Sequence, residues 1–262
     1  MNLFERTGKP ALIGVVHLLA LPGAPRGSRG LDAVRRRAVD DADALAGNGC
    51  DAIILENLGD APFTGGRVDA WTVAAMTALA MDIRGTFAGP IGINVLRNDP
   101  IAALSIANAV GASFIRVNVH TGAMLTDQGV IEGAARETLL ERNRLGGDVK
   151  IAADVQVKHA VPLAPQAIGE VAADTADRGG ADVLIVSGRG TGKPTAMADL
   201  IAVRTAVSVP VWIGSGVTPD TAAAFGSNAD ALIVGTYFHE DSDLSRPVDP
   251  QRVMYMRRAM AG

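Results

Sequence analysis

The chain carries a single cysteine, Cys50, among its 262 residues. One thiol closes no intrachain disulfide and supplies no Cys-based metal centre, so both frameworks are excluded. Cys50 stands just ahead of an apolar run and reads as a small packing residue. Positive charge is also in short supply. The 24 Lys and Arg against 28 Asp and Glu give a formal net charge of -4, with a pI near 5.6. Without a dense basic stripe, that balance argues against nucleic acid as a partner. The densest basic cluster, Arg35-Arg36-Arg37, is followed by Asp40, Asp41 and Asp43, the pattern of a solvated helix face. No apolar run approaches the roughly 18 residues that span a bilayer, so no integral membrane segment is expected. The first residues show no basic start with an apolar run and cleavage site, and a cytoplasmic protein is the expectation.

What the sequence does have is a rhythm. Val- and Ile-rich runs recur at 11–17, 52–57, 91–96, 114–119, 150–155, 183–188, 209–214 and 231–236. Their near-continuous hydrophobicity suits parallel strands buried on both faces. Ala-rich helical stretches fill the gaps, at 31–47, 69–84, 99–110, 130–144, 165–178, 195–206, 218–226 and 249–260. Turns such as Gly47-Asn48-Gly49 and Gly226-Ser227-Asn228 end helices, and Thr218-Pro219 starts one. Eight strand–helix units without a linker predict an α/β fold of one domain over residues 1–262, a single (β/α)8 TIM barrel.

The polar residues are not scattered. The runs stay apolar until their C-terminal ends and then turn polar, at His17, Glu56, Asn94, Asn118, His120, Asp154 and Ser187. In barrels of this kind the strand C-termini carry the site, whereas the opposite face serves stability. Period-2 alternation puts Arg116 on the face of Asn118, and Glu56 and Asp154 on inward faces. A buried guanidinium needs a carboxylate, so Arg116 with Glu56 or Asp154 reads either as an ion pair under the site or as part of it. Glu56, Asp154, His17, His120 and Asn118 are the candidate catalytic residues, with Asn94 and Arg116 in the barrel interior. A divalent metal, if one is bound, would use Glu56, Asp154 and His17. His159 reaches towards the rim, and His239 reads as solvent-facing.

Loops after strands seven and eight of such barrels often bind phosphate through backbone N–H groups. Here they hold Gly214, Ser215 and Gly216, and Gly235 and Thr236. The stretch Ser187-Gly188-Arg189-Gly190-Thr191-Gly192-Lys193-Pro194 is not a Walker A loop, since its spacing is short and Pro194 replaces the hydroxyl. A lid bringing Ser187, Arg189 and Lys193 over an anion is the better reading. Trp71 and its helix hint at a partner surface.

Several stretches resemble the BtpA/SgcQ family: Ile13–Pro22, Asp51–Phe63 (DAIILENLGDAPF), Gly92–Pro100 (GINVLRNDP), Gly111–Val119, Asp154–Ala160 (DVQVKHA), Val186–Gly192, Pro210–Val217 and Pro247–Val253. A departure is expected at Leu19–Gly23, where the family's first loop should carry a Pro earlier. The resemblance implies a ribulose-phosphate-binding-type barrel. One branch of the family is named for a peripheral membrane role in photosystem I biogenesis. Another occurs in carbohydrate metabolism and carries enzyme labels.

Together these observations favour an enzyme of phosphosugar type, a lyase, isomerase or hydrolase, acting on a phosphorylated sugar or nucleoside-like small molecule. The alternatives are a non-catalytic assembly factor at a membrane complex and a sugar-phosphate sensor. An assembly factor should show an exposed apolar or basic patch. A homo-oligomer is expected.

Overall fold

The eight runs form parallel strands in a computed structural model describing residues 2–6, 8–27, 30–188 and 195–261. The barrel strands are β1 (Ala11–His17), β2 (Ala52–Glu56), β3 (Ile91–Asn94), β4 (Phe114–Val117), β5 (Lys150–Val155), β6 (Val183–Val186), β7 (Val211–Ile213) and β8 (Ala231–Val234). Each pairs with its neighbour in sequence, and β8 pairs with β1 to close the barrel. The helices are α1 (Leu31–Gly47), α2 (Ala70–Thr86), α3 (Pro100–Val110), α4 (Ala135–Arg144), α5 (Ile168–Ala173), α6 (Met197–Ala206), α7 (Pro219–Gly226) and α8 (Pro250–Ala261). This is the (β/α)8 TIM barrel that the strand rhythm predicts. Arg189 and Lys193 fall outside the described residues.

Two cores follow from period 2. Ile13, Val15, Ile54, Ile185 and Ile233 fill the barrel interior with Phe114 and Trp212, while Leu12, Val16, Ile53 and Leu55 face the helices. The interior is plugged below by aromatic packing, with Phe114 and Trp212 edge-to-face at 5.3 Å and Phe4 against Phe114 at 6.0 Å.

The same face carries a repeated polar device. Asp51, Asp182 and Asp230 each precede an even-numbered strand and accept an N–H from the first or second residue of the strand before it, Leu12, Ile151 and Val211. Each carboxylate is also held by a helix arginine, Arg257, Arg142 or Arg204. These contacts satisfy strand-end donors that would otherwise be orphaned.

Except in β1 and β5, strands end sooner than the apolar runs do, so Asn57, Asn118 and Ser187 begin loops. The largest departure is at 130–144, predicted as one helix. Gly129–Glu132 instead pairs antiparallel with Ala123–Thr126, and α4 begins only at Ala135. Met124 and Ile131 are buried while Leu125 and Val130 are exposed, the alternation of a one-faced hairpin rather than a helix. Ala160–Pro162 adds a third strand, and this small sheet stands beside the barrel mouth.

Candidate active site

Register sets the floor of the site. His17 pairs with Glu56, Glu56 with Asn94, and Asn94 with Arg116, so four inward side chains share one layer. Arg116 reaches one layer up and holds Asp154 bidentately, Nε to Oδ2 at 2.8 Å and Nη2 to Oδ1 at 2.9 Å. Asp154 also accepts from Ser187 Oγ at 2.8 Å and Asn118 Nδ2 at 3.4 Å. Its oxygens are committed to neighbours, and the guanidinium it fixes stays charged, with its pKa raised against burial by Asp154 and Glu56.

Glu56 is differently placed. Asn94 Nδ2 donates to its Oε2 at 2.7 Å, Arg116 Nη1 stands 3.9 Å from the same oxygen, and its Oε1 lies 3.9 Å from His17 Nε2. Burial would raise the Glu56 pKa, but the charges of His17, Arg116 and Lys158 and the Asn94 hydrogen bond outweigh it and hold the carboxyl ionised. Because His17 is itself neutral at pH 7, the effect that stands is that of the two cations and Asn94.

The protonation of His17 is legible from its network. His239 Nδ1 lies 2.7 Å from the Arg246 carbonyl, which only accepts, so Nδ1 carries a proton. A neutral His239 therefore offers Nε2 as an acceptor, and His17 Nδ1, 3.1 Å away, donates to it. That leaves His17 Nε2 with a lone pair facing the cavity. Arg37 Nη2 approaches His239 Nδ1 at 3.4 Å, but two donors make no bond there; Arg37 also serves the Arg246 carbonyl. Burial, with lesser contributions from His239, Lys158 and Arg116, lowers the His17 pKa to about 3 against the opposing pull of Glu56. The solvent-facing reading of His239 is corrected: it is buried behind His17.

His17, Glu56 and Arg116 line a cavity of about 210 Å³ with Lys158, Gly214, Ser215, Gly216, Thr218, Gly235 and Thr236. A larger chamber of about 580 Å³ shares His17, Glu56, Arg116, Lys158 and Thr236 and extends past Leu58, Phe63, Leu96, Arg97 and Asn118. The ionisable end and the glycine end thus meet in one cleft. Two glycines are required by close approach. A Cβ on Gly235 would stand 2.7 Å from the His17 ring, and one on Gly214 would stand 2.4 Å from Ser187 Oγ. Past β8 the chain turns at once into a short 3₁₀ turn, Thr236–Phe238, and Thr218-Pro219 opens α7. The Thr218 N–H is already capped by Thr221 Oγ1 and Pro219 carries none, so the bare backbone at this end of the cavity is that of Gly214, Gly216 and Gly235.

Not every candidate arrives here. His120 turns away, its Nε2 against the Gly179 carbonyl at 2.8 Å, and lines neither chamber. Asp154 and Ser187 lie behind Arg116 and face neither chamber. Asn94 backs Glu56, and Asn118 lines the larger chamber only. The trio Glu56, Asp154 and His17 does not converge as a metal-ligand set, and among the described residues no three His, Cys, Asp or Glu side chains do.

Two site residues escape sequence reasoning. Lys158, held between positive-φ residues Gln156 and His159, lines both chambers. Desolvation lowers its pKa, and so do Arg116 and Arg97, against Glu56 and Asp154. Arg97 is buried in the wall of the larger chamber. The available signal was their place inside the distinctive stretches DVQVKHA and NVLRNDP. Residues of NVLRNDP and of DAIILENLGDAPF build the mouth: Asn57 accepts from Leu96 N–H and donates to Asp60, Asp60 accepts from Leu21 N–H, and Asp99 accepts from Val68 and Ala102 N–H. Asn98 pairs with both backbone groups of Val119.

A closed eight-stranded parallel barrel with its polar residues gathered at the strand C-termini defines the class, a TIM barrel. The family model described as "BtpA family" matches residues 8–262, and the chain belongs to that family. It is 47% identical to the photosystem I biogenesis protein BtpA of Synechocystis, over 100% of this chain and 92% of that protein. It is 44% identical to an uncharacterized protein of Pyrococcus furiosus (95% and 94% covered). It is 34% identical to the putative sgc region protein SgcQ of Escherichia coli (93% and 91% covered). Among solved structures it resembles tryptophan synthase of Mycobacterium tuberculosis, TM-score 0.63 at 18% identity, covering 97% and 93% of the two chains. N-(5'-phosphoribosyl)anthranilate isomerase of Pyrococcus furiosus matches at TM-score 0.59 and 12% identity, covering 97% and 100%. These structural likenesses speak to the fold alone. Among the described residues no helix is long and apolar enough to cross a membrane.

Proposed function

We propose that the protein is an enzyme acting on a phosphorylated small molecule of sugar type. The observation that carries this reading is a single cavity lined on one side by Gly214, Ser215, Gly216, Gly235 and Thr236 and on the other by His17, Glu56, Arg116 and Lys158. The phosphate rests on the backbone N–H groups of the loops after β7 and β8, with Ser215 and Thr236 hydroxyls beside it. His17 Nε2, unprotonated and held by His239, takes a proton from the substrate carbon or hydroxyl. Lys158 and Arg116 stabilise the negative charge that develops on oxygen. Glu56, ionised beside His17, steadies the imidazolium that forms. Asp154 serves as the positioning residue for Arg116 rather than as a group that touches the substrate. This set suits proton abstraction beside a carbonyl, the first step of an isomerisation or a C–C cleavage. Names among the structural neighbours, such as thiamine phosphate pyrophosphorylase and phosphoribosylanthranilate isomerase, are in keeping with a phosphorylated ligand.

The test is a turnover screen over phosphorylated sugars with wild type, His17→Gln and Glu56→Gln. Loss of a general base removes roughly 10²–10⁴-fold of rate. Full turnover by both variants sinks the assignment. Saturable binding without turnover by wild type favours a sensor.

A second reading, an assembly role, has one specific observation behind it. Val130, Leu125 and Val161 are direct neighbours across the small sheet and are 52%, 51% and 63% exposed, an uncovered apolar stripe beside the mouth. Vesicle flotation and light scattering of wild type against Leu125→Lys separate a membrane partner from a second copy of this chain. Identical behaviour of the two proteins in both assays discards the stripe as an interface.

A further inference from the structure

The buried charges at the mouth do not cancel. Arg116 and Asp154 neutralise each other in a bidentate pair. Glu56 stands closest to Arg116 and His17 and also acts on Lys158. That leaves Arg97. It is only 5% exposed, yet among the described residues no carboxylate oxygen comes within 4.0 Å of its guanidinium. Among the described residues its one side-chain hydrogen bond runs from Nη2 to the Lys158 carbonyl at 2.7 Å. Asp127 lines the same chamber, but it sits exposed on the hairpin turn and accepts from Gln128. A guanidinium offers five N–H donors, so Arg97 retains a fork of donors at the wall of the larger chamber. Asp154, Asp127 and Glu56 act on it only from a distance, and burial outweighs them. A buried cation with no carboxylate in contact is costly, and such a site is matched when an anion enters it.

We infer that Arg97 seats a second anionic group of the ligand, a carboxylate or a second phosphate, in the larger chamber. The first phosphate rests against the loops after β7 and β8, so this inference extends the proposed function. The ligand class is then a phosphorylated sugar acid or a sugar bisphosphate. Its two anions bracket His17, Glu56, Arg116 and Lys158, which line both chambers. The reacting carbon therefore lies between the anions rather than at one end of the molecule. Lys158 couples the two ends, since its backbone carbonyl orients Arg97 while its side chain lines the cavity beside Ser215 and Thr236.

Calorimetry with matched probes tests this. Sorbitol 6-phosphate and 6-phosphogluconate have the same chain and phosphate and differ in a terminal hydroxymethyl against a carboxylate. Wild type is expected to bind 6-phosphogluconate at least about tenfold more tightly, the scale of one good charge-assisted contact. Arg97→Gln should erase that preference and leave sorbitol 6-phosphate within about twofold, and Arg97→Lys should keep part of it. Fructose 1,6-bisphosphate identifies the second anion: bound more tightly than 6-phosphogluconate it is a phosphate, bound more weakly a carboxylate. Gluconate against sorbitol separates this inference from the phosphate reading. An Arg97-dependent preference for gluconate, with no gain from the added phosphate, sinks the phosphate reading alone. No preference in either matched pair, or a preference that survives Arg97→Gln, overturns the second-anion site.

Discussion

At the scale of single residues, His17 is defined by what stands behind it. The chain from the Arg246 carbonyl through His239 to His17 fixes one tautomer and leaves Nε2 bare. Nitrogen-15 NMR should therefore find the His17 proton on Nδ1 at neutral pH. His239→Phe should release the ring into a tautomer mixture, a change that packing alone does not produce. Stability follows the same residue. The native pKa of about 3 lies below the ordinary 6.5, so between those values the unfolded chain binds a proton that the native one refuses. His17 therefore costs nothing above pH 6.5 and costs progressively more as pH falls towards 3, on the order of a few kcal/mol in all. His17→Gln should flatten the acid limb of a denaturation series over that window; an unchanged limb would remove His17 as its source. Much of this site was legible in sequence, because His17 and Glu56 close apolar runs and period 2 puts Arg116 on the same face as Asn118. What sequence could not supply was sense of contact. His120 closes a run just as His17 does, yet it comes after the end of β4, where alternation no longer governs direction. His239 looked solvated because its acidic neighbours are; tertiary packing of the loop after β8 against α1 decided otherwise.

At the scale of elements, polar residues are spent on joining pieces of chain. Asp51, Asp182 and Asp230 tie the starts of neighbouring strands at the barrel's lower rim and bind a helix arginine each. Asp230→Ala leaves the buried Val211 N–H and Arg204 without their partner, which should cost about 1–3 kcal/mol in urea unfolding. Arg116→Met breaks a buried pair in the other rim and should cost more, about 3–5 kcal/mol, because Asp154 is left uncompensated. If the two substitutions cost the same, burial is not what ranks them. The hairpin at Ala123–Glu132 shows why the element pattern was only partly readable. A run of buried parallel strands sets an expectation of continuous apolar stretches, and a one-faced hairpin alternates instead, so its second strand, Gly129–Glu132, was absorbed into the next helix. The consequence reaches the site, since the third strand of that sheet begins just after Lys158.

At the scale of the whole barrel, the strand-start carboxylates of the lower rim and the cleft proposed to bind ligand lie on opposite faces, and the two can be perturbed independently. Ligand that binds only the folded state adds RT ln(1 + [L]/Kd) to stability, about 2.7 kcal/mol at one hundred times Kd. The increment depends on the mouth alone. Asp230→Ala should therefore lower the melting temperature of the free protein while the rise produced by a saturating phosphorylated ligand stays as in wild type. Gly235→Ala should do the reverse at the mouth. Its new methyl would meet the His17 ring, displacing both the histidine and the loop proposed to receive the phosphate, so the ligand-induced rise should shrink by more than the melting temperature of the free protein falls. Differential scanning calorimetry of the two variants, with and without ligand, reads both quantities in one experiment. Coupled losses in both variants would mean that the lower rim and the mouth form one cooperative unit, and that strand-end contacts 51, 182 and 230 help to shape the site as well as to hold the barrel closed.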